Sequence, residues 1–167
     1  MSYRFKYILG IMSGTSLDGI DLSLVRTNGI NLKSLNQNFF LKFREKTKRN
    51  LIELTEKFKI SDLKSKFFKD IENELTDDYI VAIENSNFIQ KTDLIGFHGQ
   101  TIYHNPQKKI TIQIGDAKKI SNYFNKKIVF NFRKNDIKNF GQGAPLAPIY
   151  HKFLIKASKL KDPTCII

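Results

Sequence analysis

The chain has 167 residues, 41% hydrophobic and 26% charged, a balance that excludes disordered and fibrous classes and suits one folded domain. Lys and Arg number 28 against 16 Asp and Glu, a net +12, and the single cysteine, Cys165, excludes an internal disulfide and a cysteine-rich zinc site. No apolar run approaches the roughly 20 residues of a membrane span, and Met1–Lys6 lacks the apolar core of a signal peptide, so a reducing, cytoplasmic setting is expected.

In chain order, the first element is the short apolar run Tyr7–Met12, which ends at a Ser-Gly-Thr-Ser turn and reads as a buried strand. Asp21–Arg26 alternates polar with apolar, as a second strand does. Asn28-Gly29 marks a turn, and Leu35–Phe43 follows as a third strand. Two or three antiparallel strands are the natural assembly. From Arg44 to about Gln90 the period changes. Leu51, Leu54 and Phe58 share one helix face, and Phe67, Ile71, Leu75 and Tyr79 share another, with Ser61 as the expected N-cap between the two helices.

Leu94–Phe97 reads as a short buried strand leading into His98-Gly99-Gln100-Thr101. Ile110–Ile114 is a strand ending at Gly115-Asp116, and Asp116 is placed to cap a helix running to about Asn125. Ile128–Phe132 reads as another strand. Gly141–Pro145 is a loop, with Pro145 in the first turn of a helix continuing to Ala157. Thr164–Ile167 begins a strand-like run. Strands mixed with helices in this order indicate an α/β layered domain. A strand that begins at the last residues also suggests truncation, with apolar edge surface around Cys165, Ile166 and Ile167 that favours self-association.

The charge invites a nucleic-acid reading, and its distribution argues against one. Lys46, Lys48, Arg49, Lys57, Lys64, Lys66 and Lys69 are interleaved with Glu45, Glu53, Glu56 and Asp62, as on a solvated helical surface. No RNP motif, zinc-finger spacing or Arg-rich tail accompanies them. An anionic small ligand such as a nucleotide fits the charge equally well.

Four clusters carry candidate chemistry. In Ser13–Asp21, glycines allow backbone N–H groups to approach an anion, the hydroxyls add donors, and Asp18 and Asp21 are candidates for a hydrated Mg²⁺. The same residues also describe an ordinary hairpin turn that satisfies its own backbone. His98, Gln100 and Thr101, with His104 nearby, offer a base or hydroxyl-orienting group, or a satisfied structural histidine. Gln113 and Asp116 form a polar pair at a strand end, where α/β sheets bind ligands, or Asp116 is only a helix cap. Arg133 offers a fork for a carboxylate or phosphate, or a salt bridge to Asp136, before the glycine-rich stretch around Gln142. Polar residues recurring at strand ends suggest one cleft lined by several loops.

Taken in order, Met-Ser-Gly-Thr-Ser-Leu-Asp-Gly-Ile-Asp, His-Gly-Gln-Thr, Gln-Ile-Gly-Asp, Phe-Arg-x-x-Asp-Ile and Gly-Gln-Gly-Ala-Pro-Leu-x-Pro closely resemble the anhydro-N-acetylmuramic acid kinases, from about Tyr7 to Ile167. The resemblance implies a two-lobed, ribonuclease H-like fold of the actin, hexokinase and Hsp70 kind, with a mixed sheet flanked by helices. Residues 1–167 would be its N-terminal lobe, truncated before the second. It implies ATP and Mg²⁺ as cofactors and an amino sugar as substrate. The anhydro bridge is opened with water and the primary hydroxyl phosphorylated, giving N-acetylmuramic acid 6-phosphate and ADP in peptidoglycan recycling.

The match carries Gly14, Thr15, Ser16, Leu17, Asp18, Gly19, Ile20 and Asp21 over as the ATP phosphate loop. His98, Gln100, Thr101, Gln113, Asp116, Arg133, Asp136 and Gln142 would form the sugar-facing wall, with Arg133 toward the lactyl carboxylate or developing charge. Expected partners are the sugar, ATP, the missing C-terminal lobe and a second copy of the chain, with neither nucleic acid nor membrane. Asn131 stands where the family usually has Asp, and Lys134-Asn135 where an Arg-rich pair is common. The aspartate expected as general base falls beyond Ile167, so this chain alone is expected to be inactive. A domain that binds sugar or nucleotide without catalysis is the alternative.

Overall fold

A computed structural model describes residues 4–158. They group into two compact units, one made of the described residues up to His104 with Ile112–Phe130 and one of Asn105–Thr111 with the described residues from Asn131 on.

The first unit opens with β1 (Lys6–Ser13), β2 (Gly19–Thr27) and β3 (Leu32–Lys42). They form the expected antiparallel meander, with Ser13 opposite Ile20 at one end of the first pair and Lys6 opposite Thr27 at the other. At the tip between β2 and β3, the Asn28 carboxamide oxygen accepts the N–H groups of Ile30 and Asn31, which is how an Asn-Gly turn closes on itself.

Two helices follow, α1 (Glu45–Lys57) and α2 (Lys66–Ser86), separated by a short 3-10 turn over Ile60–Lys64. The expected cap at Ser61 is displaced: Ser61 lies inside that 3-10 turn, and the Ser65 hydroxyl accepts the Phe68 N–H at 3.1 Å to start α2. The Asp62 side chain accepts the Lys59 N–H at 2.8 Å, fixing the turn that postpones the helix. The buried face of α2 accordingly begins at Phe68, whereas Phe67 is 47% exposed. Both residues sit at helical spacing from Ile71, so periodicity alone does not choose between them. Ile71, Leu75, Tyr79 and Ile83 continue the face into the core formed with Leu9, Ile11, Ile20 and Leu22.

β4 (Leu94–Asn105) runs parallel to β1 and extends well past the strand anticipated there; it continues through the His-Gly-Gln-Thr motif. β5 (Ile110–Ile114) follows, then α3 (Ala117–Phe124) and β6 (Lys127–Val129), which pairs in parallel with the start of β4. The strand order is β3-β2-β1-β4-β5, with β6 joined to β4. This is a mixed sheet flanked by helices, the α/β class expected. α2 is the central helix, in contact with β2, β3, α1 and α3.

The strand anticipated over Ile128–Phe132 stops at Val129. Asn131 takes a left-handed backbone (φ 63°), which cannot extend a strand, and Phe132 opens α4 (Phe132–Lys138). In the second unit, α4 is followed by a loop and by α5 (Ala147–Ser158). That helix begins two residues later than anticipated, so Pro148, not Pro145, sits in its first turn. The run expected over Thr164–Ile167, and with it the edge surface around Cys165, lies outside the described residues.

Candidate functional site

The end of β1 and the middle of β4 come together through a bulge. Ile11 lies opposite Phe97 and Ser13 opposite Gln100, so β4 spends one residue more than β1 between the two pairs. Gly99 absorbs the extra residue with φ +71°, and a Cβ there would stand 2.6 Å from the Ile114 carbonyl oxygen. Only glycine admits both the handedness and the approach. The consequence is proximity of three motifs: Gln113 Nε2, at the end of β5, donates to Thr101 Oγ1 at 3.2 Å, and Gln100 pairs with Ser13 across the strands.

The first loop is pinned at both ends. The Ser13 hydroxyl is buried and hydrogen-bonded to the Tyr79 phenol of α2. Leu17 sits in the core with φ 56°, and its N–H donates to the Gly14 carbonyl at 3.2 Å. The Phe43 N–H donates to the Asp18 carbonyl at 3.0 Å, tying the loop to the end of β3. Between these pins Thr15 and Ser16 are exposed, as are Asp18 and Asp21. Gly19 and Ile20 are buried, Ile20 completely, so the last part of the stretch offers a ligand backbone at most.

A pocket of about 270 Å³ opens beside this loop, lined by Thr15, Leu17, Thr55, Gln100, Thr101, Ile102, Tyr103 and His104. Gln100 is fully buried. Its Nε2 donates to the Thr101 carbonyl at 3.2 Å, while its Oε1 has no hydrogen-bond partner among the described residues. A buried acceptor of this kind is costly unless a donor from outside the chain reaches it. The His98 Nδ1 lies 2.7 Å from the Gly99 carbonyl. A carbonyl only accepts, so Nδ1 carries a proton and donates it to Gly99. Three pocket residues, Thr55, Ile102 and Tyr103, carry no motif. Thr55 is one polar position on an amphipathic helix, its hydroxyl donating to the Leu51 carbonyl at 2.8 Å, and Tyr103 belongs to the part of β4 that reads as loop.

Asp116 does what its position predicts for a cap. Its Oδ1 accepts the N–H groups of Lys118 and Lys119 at 2.9 and 3.0 Å, opening α3. In the second unit, Arg133 and Asp136 meet through one residue: Arg133 Nη1 donates to the Gly143 carbonyl at 2.6 Å, and the Gly143 N–H donates to Asp136 Oδ2 at 2.6 Å. The Gly141 N–H donates to the Asp136 carbonyl at 2.8 Å. The two charged side chains thus shape the loop that presents Gln142, which is exposed. The first unit gathers the first three motifs, and the second gathers the last two.

All of these residues lie inside a stretch that matches a known family in sequence. The family model described as anhydro-N-acetylmuramic acid kinase matches residues 6–164. The chain belongs to the anhydro-N-acetylmuramic acid kinase family. Among its relatives, a protein of that name from Pelagibacter ubique (strain HTCC1062) is 41% identical over 170 residues, covering 98% of this chain and 45% of the relative. Namesakes from Bradyrhizobium diazoefficiens and Rhizobium etli are 32% and 35% identical, each covering 95% of this chain and 46% and 45% of their own lengths. The chain therefore spans about half the length of the family members it matches.

Within this family member, the described residues contain no group of three or more His, Cys, Asp or Glu side chains placed to hold a metal. Asp18 and Asp21 are exposed carboxylates, and a cation that keeps most of its water, as Mg²⁺ does in nucleotide sites, calls for only one or two such groups. For ATP, the exposed Thr15 and Ser16 and the intervening backbone form a donor-rich surface of the right kind. Asn131 tolerates the left-handed turn before α4, since Asn and Asp are the side chains that accept it most readily. Among the described residues no helix is long and apolar enough to cross a membrane.

Proposed function

We propose that this chain supplies the phosphate loop and part of the sugar wall of an ATP-dependent kinase acting on anhydro-N-acetylmuramic acid. The product is N-acetylmuramic acid 6-phosphate, with ADP, in peptidoglycan recycling in the cytoplasm. The observation that supports this reading best is the convergence on one pocket of Thr15 and Leu17 from the first loop with Gln100 and Thr101 from the second motif, Gln113 of the third being hydrogen-bonded to Thr101, in a member of that family.

In this reading Gly14, Thr15 and Ser16 hold phosphate oxygens with backbone N–H groups and hydroxyls. Asp18 and Asp21 steady a hydrated Mg²⁺. Bound together, ATP and the cation supply the phosphoryl group and neutralise the charge that develops on it. Gln100 accepts a hydrogen bond from the sugar at its buried Oε1, and Thr101, Gln113 and His98 orient neighbouring hydroxyls. Asp116 adds a further sugar contact in the first unit; within the second unit Arg133 and Asp136 shape the loop that carries Gln142, itself a sugar-binding side chain in this reading.

The general base is supplied by the second lobe, so residues 1–167 alone are inactive. A base of this type contributes about 10²–10⁴-fold, and positioning is lost besides. The test is to incubate the 167-residue chain, and the same chain extended by the second lobe of a family member, with ATP, Mg²⁺ and the anhydro sugar. Phosphosugar and ADP from the extended protein, and none from the short one, is the expected result. Extended protein that binds nucleotide and sugar yet forms no phosphosugar would replace the kinase reading with a binding domain.

A further inference from the structure

Helix α2 is more than the cover of the sheet. Three of its residues, Glu72, Thr76 and Tyr79, fall on one face at helical spacing, and each touches a chain segment that enters the site. The Asp116 N–H donates to Thr76 Oγ1 at 2.9 Å, and the Gly115 N–H to Glu72 Oε1 at 3.4 Å. The Thr76 hydroxyl spends its own proton on the Glu72 carbonyl at 2.6 Å, so its lone pair is committed to Asp116. One turn later the Tyr79 hydroxyl bonds to Ser13, the residue that begins the first loop.

The Tyr79 ring packs edge-on against Phe97, centroids 4.9 Å apart at 86°, immediately before His98. A Cβ at Gly115 would meet both rings, 2.7 Å from Phe97 and 3.2 Å from Tyr79. Tyr79, wholly buried, therefore lies directly beneath the stems of all three motifs of the first unit.

We infer that Tyr79 is a positioning residue. Through Ser13 it sets the height and orientation of the Gly14–Leu17 turn, while Thr76 sets the Gly115–Asp116 turn from the same helix face, so that one rigid helix fixes the spacing of two ligand-facing loops. The hydroxyl is the working part, because the ring alone would fill the core equally well. The loop geometry is independent of the proposed activity; only its effect on nucleotide rests on the kinase reading.

The experiment uses the 167-residue chain and its variants Tyr79→Phe, Ser13→Ala and the double. Amide hydrogen exchange and chemical shifts at Gly14–Leu17 report the loop, and calorimetry with ATP–Mg²⁺, at a temperature where every variant is folded, reports the ligand. Loss of one buried hydrogen bond should speed exchange at Gly14–Leu17 about three- to tenfold and weaken ATP by a similar factor, with the double variant no worse than Tyr79→Phe. A structural role alone would lower the melting temperature and leave both readouts where they were, and that result overturns the inference. If the parent chain takes up no ATP, the loop amides alone decide the role of Tyr79, and the kinase reading is decided separately by the extended protein. Should Tyr79→Phe not fold, Ser13→Ala removes the same bond from the other side, and the same amides decide.

Discussion

Gly99 and Gln100 are neighbours with opposite duties. The glycine is there for what it lacks, since any side chain at φ +71° would press on the Ile114 carbonyl. Gln100 is there for what it keeps unsatisfied, a buried acceptor beside a pocket. Gly99→Ala is expected to cost about 2–5 kcal/mol, the sum of a left-handed backbone and an overpacked contact, read as a lowered urea midpoint. Tyr79 carries a second consequence. Burial pushes its phenol well above the ordinary range, and the Ser13 hydrogen bond offsets this only in part. A phenol that holds its proton more tightly when folded contributes stability that is intact below the unfolded value of about 10 and is lost as pH climbs through and beyond it. Melting temperature should therefore fall at alkaline pH, and Tyr79→Phe should make that fall shallower. The polar residues of the site were legible because they stand at the ends of apolar runs. The hydroxyl of Tyr79 was not: helical spacing shows that it faces the core, and says nothing of which loop lies above it. The link between Arg133 and Asp136 was half legible, since their sequence spacing suggests a pair but not Gly143 between them.

At the scale of elements, β1, β2, β3, β5 and α3 were readable from alternation, from the Asn-Gly turn and from Asp116. α3 offers a clean separation of structural from ligand-binding duty. Asp116→Ala removes the acceptor of two N–H groups and should cost about 1 kcal/mol by urea denaturation, while Asp116→Asn keeps an N-cap and should leave stability within a few tenths. If Asp116 also meets the sugar as a charge, Asp116→Asn loses sugar affinity with the fold intact; equal affinity in the two proteins would confine the residue to its cap. What sequence pattern missed has a common cause. The His-Gly-Gln-Thr motif looks like the end of a strand because Gly99 and two polar residues interrupt the apolar run, yet a bulge lets the strand pass through and continue to Asn105. Ser61 and Ser65 are equally good caps on paper. The 3-10 turn closed by Asp62 decides between them, and such turns leave little trace in hydrophobic periodicity.

For the whole molecule, the family is secure from residues 6–164 while the length matched is about half that of relatives. The two units are unequal in packing. Nearly all buried hydrophobic residues belong to the first, whereas the described part of the second buries Ile137 and leaves Phe140, Ile149 and Tyr150 at least half exposed. Limited proteolysis is expected to cut first between Asn139 and Leu146, with the first unit surviving longest; initial cleavage between Lys66 and Ser86 would contradict this. The resemblance located both groups of motifs, but the division into units was not legible, because no proline- or glycine-rich linker marks it and β4 and β5 each cross the boundary.

Tryptophan is absent from the chain, and its near-ultraviolet signal comes mainly from six tyrosines. Only a phenol that reaches solvent can ionise and absorb as phenolate. Tyr79 reaches solvent when α2 lifts from the sheet and releases Ser13 and Asp116 together. A rapid jump to alkaline pH should therefore show a slow absorbance phase whose rate is the rate of that lifting, and which vanishes in Tyr79→Phe. The protein would thus carry its own optical clock for the opening of its candidate site, with no label added.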